Sequence, residues 1–253
     1  MSTPHFEDFW TASAITPANR QAFFDRIAAY VPAEPAQDPW SRPSPPQSAE
    51  RLDGSFAELI DQRRSVRAFS AEPLEDRDLG RLLSVLAEGT SGRPNPAAGG
   101  LNTIRGITLT WPTDRGPGRV LQHDPVVHML TPVGGCPAWA DLIDDLGGAD
   151  AITPPAAVVG LFADTRALLA KYGERGGRFA LLEAGAALQN LSLAAAALGL
   201  VGYPMGGAVD ARMLHLAGLT GTDDASGADE DHERIVAPGA ARYVVGYAVG
   251  NPA

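Results

Sequence analysis

A chain of 253 residues and 26.4 kDa has room for one large domain, or one domain with an appendage, and too little for two full ones. Apolar residues at 45% and charged residues at 20% are ordinary globular usage, which excludes wholesale disorder, and 30 acidic against 20 basic residues give a formal charge of −10, which argues against work on nucleic acid or on an anionic membrane. Cys136 is the single thiol, so neither an internal disulfide nor a multi-thiolate metal site can form. The start, MSTPHFEDFW, has neither the basic opening nor the apolar stretch of a signal peptide, and a cytoplasmic setting is expected.

In chain order, Phe23, Ile27 and Val31 recur at helical spacing behind a Thr16-Pro17 start, so the spacing predicts a helix over 16–31. Repeated prolines from 32 to 47 remove donors and push their neighbours out of helical geometry. An arm of residues 1–48 and a domain of 49–253 are therefore expected. Ser55 and Glu58 form a capping-box pattern opening a short helix. Leu79, Leu82, Leu83 and Leu86 share one face of a second helix, which the loop GTSGRPNPAAGG ends. GITLTW, VVHML, AAVVGLF and ARYVVGYAV read as strands, and a helix is predicted from about 177 to 200. The run from Ala184 to Val209 carries no charge, yet Gln189, Asn190 and Ser192 interrupt it and Pro204 breaks its end, so a buried helix is expected and not a membrane span. The acidic stretch 221–234 reads as a solvated loop. Helices and strands interleave, which predicts a mixed layer architecture.

Of the 20 basic residues, 19 are arginine and one, Lys171, is lysine. Coding bias accounts for the arginines but not for the survivor, and a site that needs a compact amine cannot use guanidinium. Arg63, Ser65 and Arg67 would point to one side of an extended segment, and two guanidiniums with a hydroxyl are donors suited to a phosphate. A solvated charge patch is the blander alternative for the cluster. The glycine-bearing stretches GLVGYPMGGAVD and PNPAAGGLN read as turns that let backbone approach a ligand. No G-x-G-x-x-G, P-loop, H-E-x-x-H or G-x-S-x-G motif is present. His123 and His128, five apart on an expected strand, would face opposite ways, so no metal site is expected.

The succession RRSVRAF at 63–69, PLEDRDLGRLL, PNPAAGGLN and the long block from Lys171 to Gly207 resembles the nitroreductase superfamily over roughly residues 50–250. It is most similar to the branch of peptide azoline oxidases, the SagB-type or McbC-like dehydrogenases. The resemblance implies an α+β fold, a central, mainly antiparallel sheet flanked by helices, assembled as a homodimer with shared FMN sites. It further implies that Arg63, Ser65 and Arg67 hold the FMN phosphate and ribityl chain, and that Gly206 and Gly207 turn beside the flavin ring. Pro96, Ala97 and Ala98 would reach the flavin from the second subunit, while Lys171 and Tyr172 match a pair used in substrate deprotonation. Where relatives show P-S-A-G-G-L-Y-P, this chain has lost a hydroxyl at Ala97 and an aromatic at Asn102.

The expected function is FMN-dependent oxidation of peptide thiazolines or oxazolines to azoles in natural-product biosynthesis. Tyr172 would be the general base, with Lys171 as the neighbouring positive charge. The alternatives are an NAD(P)H-dependent nitro or quinone reductase and a catalytically inactive scaffold subunit. A peptide substrate, carrier- or leader-bound, and a cyclodehydratase or synthetase partner go with the first reading.

Overall fold

The computed structural model describes residues 8, 9, 12, 20–31, 55–89, 92–147, 153–219 and 241–253. The proline-rich segment, the expected domain boundary near 49 and the acidic loop 221–234 lie outside the described residues. Six strands form one sheet: β1 Ile104–Thr110, β2 Gly118–Asp124, β3 Met129–Cys136, β4 Ala157–Asp164, β5 Val201–Met205 and β6 Ala241–Gly250. Their order is β3-β2-β1-β4-β6-β5, and every neighbouring pair is antiparallel. This is the expected α+β fold with its antiparallel sheet.

β4 sits mid-sheet and is buried along nearly its whole length, as a continuous apolar run requires. Its alternate residues feed two cores. Val158 and Phe162 join Ile107, Leu109 and Trp139 on one face, while Val159 and Leu161 join Leu79, Leu82 and Leu191 on the other. The second face is covered by helices α3 (Asp76–Leu83) and α6 (Arg175–Ala197), and the first by α4 (Trp139–Leu142) and α7 (Asp210–Leu216). The remaining helices are α1 (Arg20–Ala29), α2 (Phe56–Gln62) and α5 (Arg166–Tyr172).

α6 turns a small-residue face inward, with Ala184, Ala187, Leu191 and Ala194 buried against the sheet, which lets helix and sheet approach closely. It is long and apolar enough to cross a membrane, but half of its most apolar window is buried inside the fold. Its other face exposes Leu181, Leu182 and Gly185.

Three local expectations are corrected. VVHML is not a strand: residues 125–128 are a turn, in which Asp124 Oδ1 accepts bonds from the N–H groups of Val126 and Val127, and β3 starts at Met129. Because the chain reverses there, His128 folds back onto His123 with ring nitrogens 2.9 Å apart, and the two do not face opposite ways. Finally, Ser55 stands at the N-terminus of α2, but its hydroxyl makes no capping bond.

Candidate active site

The arginine motif runs extended from the end of α2 along the free edge of β5. Ser65 bridges Gly202 in parallel, and Val66 N–H donates to Gly202 O at 3.0 Å. Arg63 Nη1 lies 3.4 Å from Ser65 Oγ, and the Arg67 guanidinium sits 4.8 Å above the centroid of the Tyr203 ring. Tyr203 stacks in turn on Phe69, so Arg67 has an aromatic floor. Behind the motif is a cavity of about 230 Å³ lined by Arg63, Arg64, Ser192, Leu200 and Tyr247. Burial pushes the Tyr247 phenol up to about 12 against the opposing pull of Arg63.

From Gly202 the edge strand leads to Gly206, about 13 Å away at the usual strand rise, and on to Gly207. Gly206 is exposed, with open space where a side chain would stand, and Gly207 packs beside Gly147. Cationic donors thus sit at one end of an open edge and unobstructed backbone at the other. That donor set fits a phosphate-tailed, flat-headed ligand such as FMN.

The second group lies elsewhere. Pro96 and Ala97 lead into a short turn at Ala98–Gly100, which the buried Glu183 of α6 holds down. Ala98 N–H donates to Glu183 Oε1 at 2.9 Å, and the N–H and hydroxyl of Thr103 donate to Oε2 at 3.0 and 2.8 Å. Asn190 Nδ2 donates to Asn95 Oδ1 at 2.6 Å, a further tie between loop and helix. Gly99 has φ +59°, and any Cβ there would overlap both Tyr172 Oη and Lys171 Nζ. Only glycine fits. The loop therefore lies directly on the Lys171–Tyr172 pair, in which Nζ is 5.4 Å from the Tyr172 ring centroid. Tyr172 is braced edge-on by Phe179 at 4.9 Å.

The structure thus joins Pro96, Ala97 and Ala98 to Lys171 and Tyr172, and joins Arg63, Ser65 and Arg67 to the strand that leads to Gly206 and Gly207. It does not bring the two groups together within one chain. Glu183 marks one group and Ser192 the other, nine residues apart on α6, about 13 Å of helix rise. Sequence reasoning missed Glu183, although it is the last charge before the uncharged run. Cys136 is buried and its thiol is pushed up to about 12 by that burial, which makes it inert. No group of three or more metal-ligating side chains exists among the described residues.

The sequence matches the Nitroreductase family profile over residues 60–228. Among curated proteins none matches it. By structure it is similar to a Ralstonia eutropha protein assigned to the nitroreductases, with a TM-score of 0.61 at 18% identity over 83% of this chain and 88% of that one. A chain of the E. coli microcin synthetase McbBCD complex, solved with truncated pro-MccB17 bound, gives 0.60 at 19% identity over 99% and 92%. An Anabaena variabilis protein, also assigned to the nitroreductases, gives 0.59 at 22% over 78% of this chain but only 38% of that one. At these identities the structural matches speak for the fold, and the profile, spanning more than half of the chain, speaks for the family. The chain belongs to the nitroreductase family of FMN-dependent flavin oxidoreductases.

Proposed function

We propose that this chain, as one half of a homodimer, oxidises thiazoline or oxazoline rings in a peptide to the aromatic azoles. The observation that carries the reading is the seat of Lys171, the only lysine, with Tyr172 directly beneath Gly99. A phenolate whose charge a neighbouring ammonium offsets can act as a base, and azole formation needs a proton taken from the ring carbon. The E. coli chain of similar fold belongs to a synthetase solved with a pro-peptide bound, the setting this reading requires.

Each of the chain's two groups is half of a site. A second copy would set the loop 96–98 and the Lys171–Tyr172 pair of one chain against the arginine motif and Gly206–Gly207 of the other. The exposed Leu181 and Leu182 of α6, with Phe56 and Ile60 of α2, supply the apolar surface for that contact. Arg63, Ser65 and Arg67 would bind the FMN phosphate and ribityl chain, and the open backbone at Gly206 would admit the ring edge. Bound FMN supplies the hydride acceptor. Tyr172 Oη, as the phenolate, would take the proton from the azoline ring, and Lys171 would place positive charge beside that oxygen. Residues 49–253 form the catalytic domain in this reading and 1–48 an arm. A cyclodehydratase or peptide synthetase supplies the leader- or carrier-bound substrate in the cytoplasm.

The test is single-turnover bleaching of the flavin by an azoline peptide without oxygen, in wild type, Lys171→Arg and Tyr172→Phe. Both variants should retain FMN while bleaching slows by about 10²–10⁴, the usual contribution of a positioned base. Equal rates in all three proteins remove the pair from the chemistry. Bleaching by NADPH but not by azoline would make the protein a nitro or quinone reductase, and a colourless protein that takes up no FMN a scaffold.

A further inference from the structure

The amino-terminal arm packs on the pair that this reading puts to work. Lys171 Nζ lies 5.5 Å from the centroid of the Tyr30 ring, nearly the same distance as from the ring of Tyr172, so its ammonium is flanked by two phenols. Two more contacts place the arm there. The Arg26 guanidinium of α1 lies over Gly173, close enough that a Cβ on that glycine would be 3.3 Å from it. Phe9 reaches the first turn of α6, with its ring edge 3.0 Å from where a Cβ on Gly177 would stand. Side chains at 173 and 177 would crowd Arg26 and Phe9, and the chain has none at either position.

From these contacts we infer that α1 and the residue after it, Tyr30, form an outer wall of the Lys171 site and that Tyr30 is a positioning residue for the lysine ammonium. Lys171 is covered from two sides, by Gly99 and by Tyr30. The Gly99 loop is pinned to α6 by three hydrogen bonds to buried Glu183 and by the Asn95–Asn190 bond. Tyr30 meets the amine through a half-exposed cation–π contact. The inference rests on the proposed reading only for the role of the amine that Tyr30 positions.

The lone lysine makes the test clean, because Lys171 holds the only ε-amine that an amine acylating reagent can find. The full-length protein is acylated with an N-hydroxysuccinimide acetate, and the Lys171 peptide is followed by mass spectrometry with no azoline present. Tyr30→Ala should speed acylation of Lys171 about two- to fivefold, the size of one exposed cation–π contact. Tyr30→Phe keeps the ring and should label like wild type, an outcome that a role for the hydroxyl would not give. Arg26→Ala loosens the same arm without touching the amine and should move the rate in the direction of Tyr30→Ala. Wild-type labelling in both alanine variants, or Tyr30→Phe labelling as fast as Tyr30→Ala, overturns the inference. Since no azoline enters the assay, failure of the azoline reading would leave this result standing, and failure of the wall would leave the flavin-bleaching result standing.

Discussion

Replacing Glu183 by glutamine keeps the size of the side chain and removes one of its two acceptor oxygens. The remaining oxygen can still take the N–H and hydroxyl of Thr103, but the new amide nitrogen then faces the N–H of Ala98, donor against donor, at a spacing of 2.9 Å. One hydrogen bond is lost and a half-buried N–H is left unmatched, which costs about 1–3 kcal/mol. Alanine would strip all three bonds and cost about 2–5 kcal/mol, a large share of the stability of an ordinary domain, so glutamine is the informative change. Urea unfolding should show a lower midpoint with an unchanged slope. Amide exchange at Ala98 and Thr103 should quicken well beyond the global change, because the loop loosens first. With Gly99 no longer fixed over Lys171 and Tyr172, azoline turnover should fall as well. A wild-type midpoint together with wild-type exchange at both amides would refute the clamp.

Burial, then His128, Arg93 and Arg105, push His123 down to about 3 from the ordinary 6.5, so it is neutral in the fold and protonates once unfolded. Its contribution is complete above about pH 6.5 and drains away as the pH falls toward 3, at about 1.4 kcal/mol per pH unit; His123→Leu should flatten that acid loss, and an unchanged slope between pH 6 and 4 would count against it. Arg63→Ala should weaken FMN binding roughly tenfold to a hundredfold, the worth of one charge-assisted contact, and wild-type affinity by titration would remove Arg63 from the phosphate grip. Leu182→Arg places a charge on the exposed face of α6 and should yield monomers by sedimentation with reduced flavin occupancy, whereas a dimer with full flavin would contradict the two-copy site.

Periodicity and apolar runs made most of the fold legible, and the misses have physical causes. The strand expected to carry both His123 and His128 ends instead at Asp124, and Gln122, His123 and Asp124, polar though they are, are all buried. β5 reads as a glycine turn because of Gly202 and Pro204. It is an edge strand, where a proline is tolerated because one side of the ladder is free, and Pro204 faces solvent. His128 was misplaced because strand alternation holds only while the chain keeps going straight, and Asp124 turns it. At the site, Lys171 stood out by composition alone. The contacts that give it surroundings, from Glu183 through the 96–103 loop and from Tyr30, join residues far apart in sequence, and no local pattern encodes them.

Leu182 and Glu183 show how α6 divides its work. One is 69% exposed and the other 4%, although they are consecutive, because neighbours on a helix point about 100° apart. Glu183 reaches inward to hold the loop over Lys171 and Tyr172 of its own chain, while Leu182 faces outward, where the proposed second copy would bring its arginine motif. A charge on the outer face would oppose that contact, and from Leu181 to Ala197 the exposed positions of the helix carry none. The two substitutions should therefore fail in different ways. Glu183→Gln should lower turnover within an intact, flavin-loaded dimer, and Leu182→Arg should abolish it in a chain whose loop, lysine and tyrosine are undisturbed. If each half-site worked alone, the second variant would remain active as a monomer. Separate phenotypes at adjacent positions are the outcome that a site divided between two copies requires.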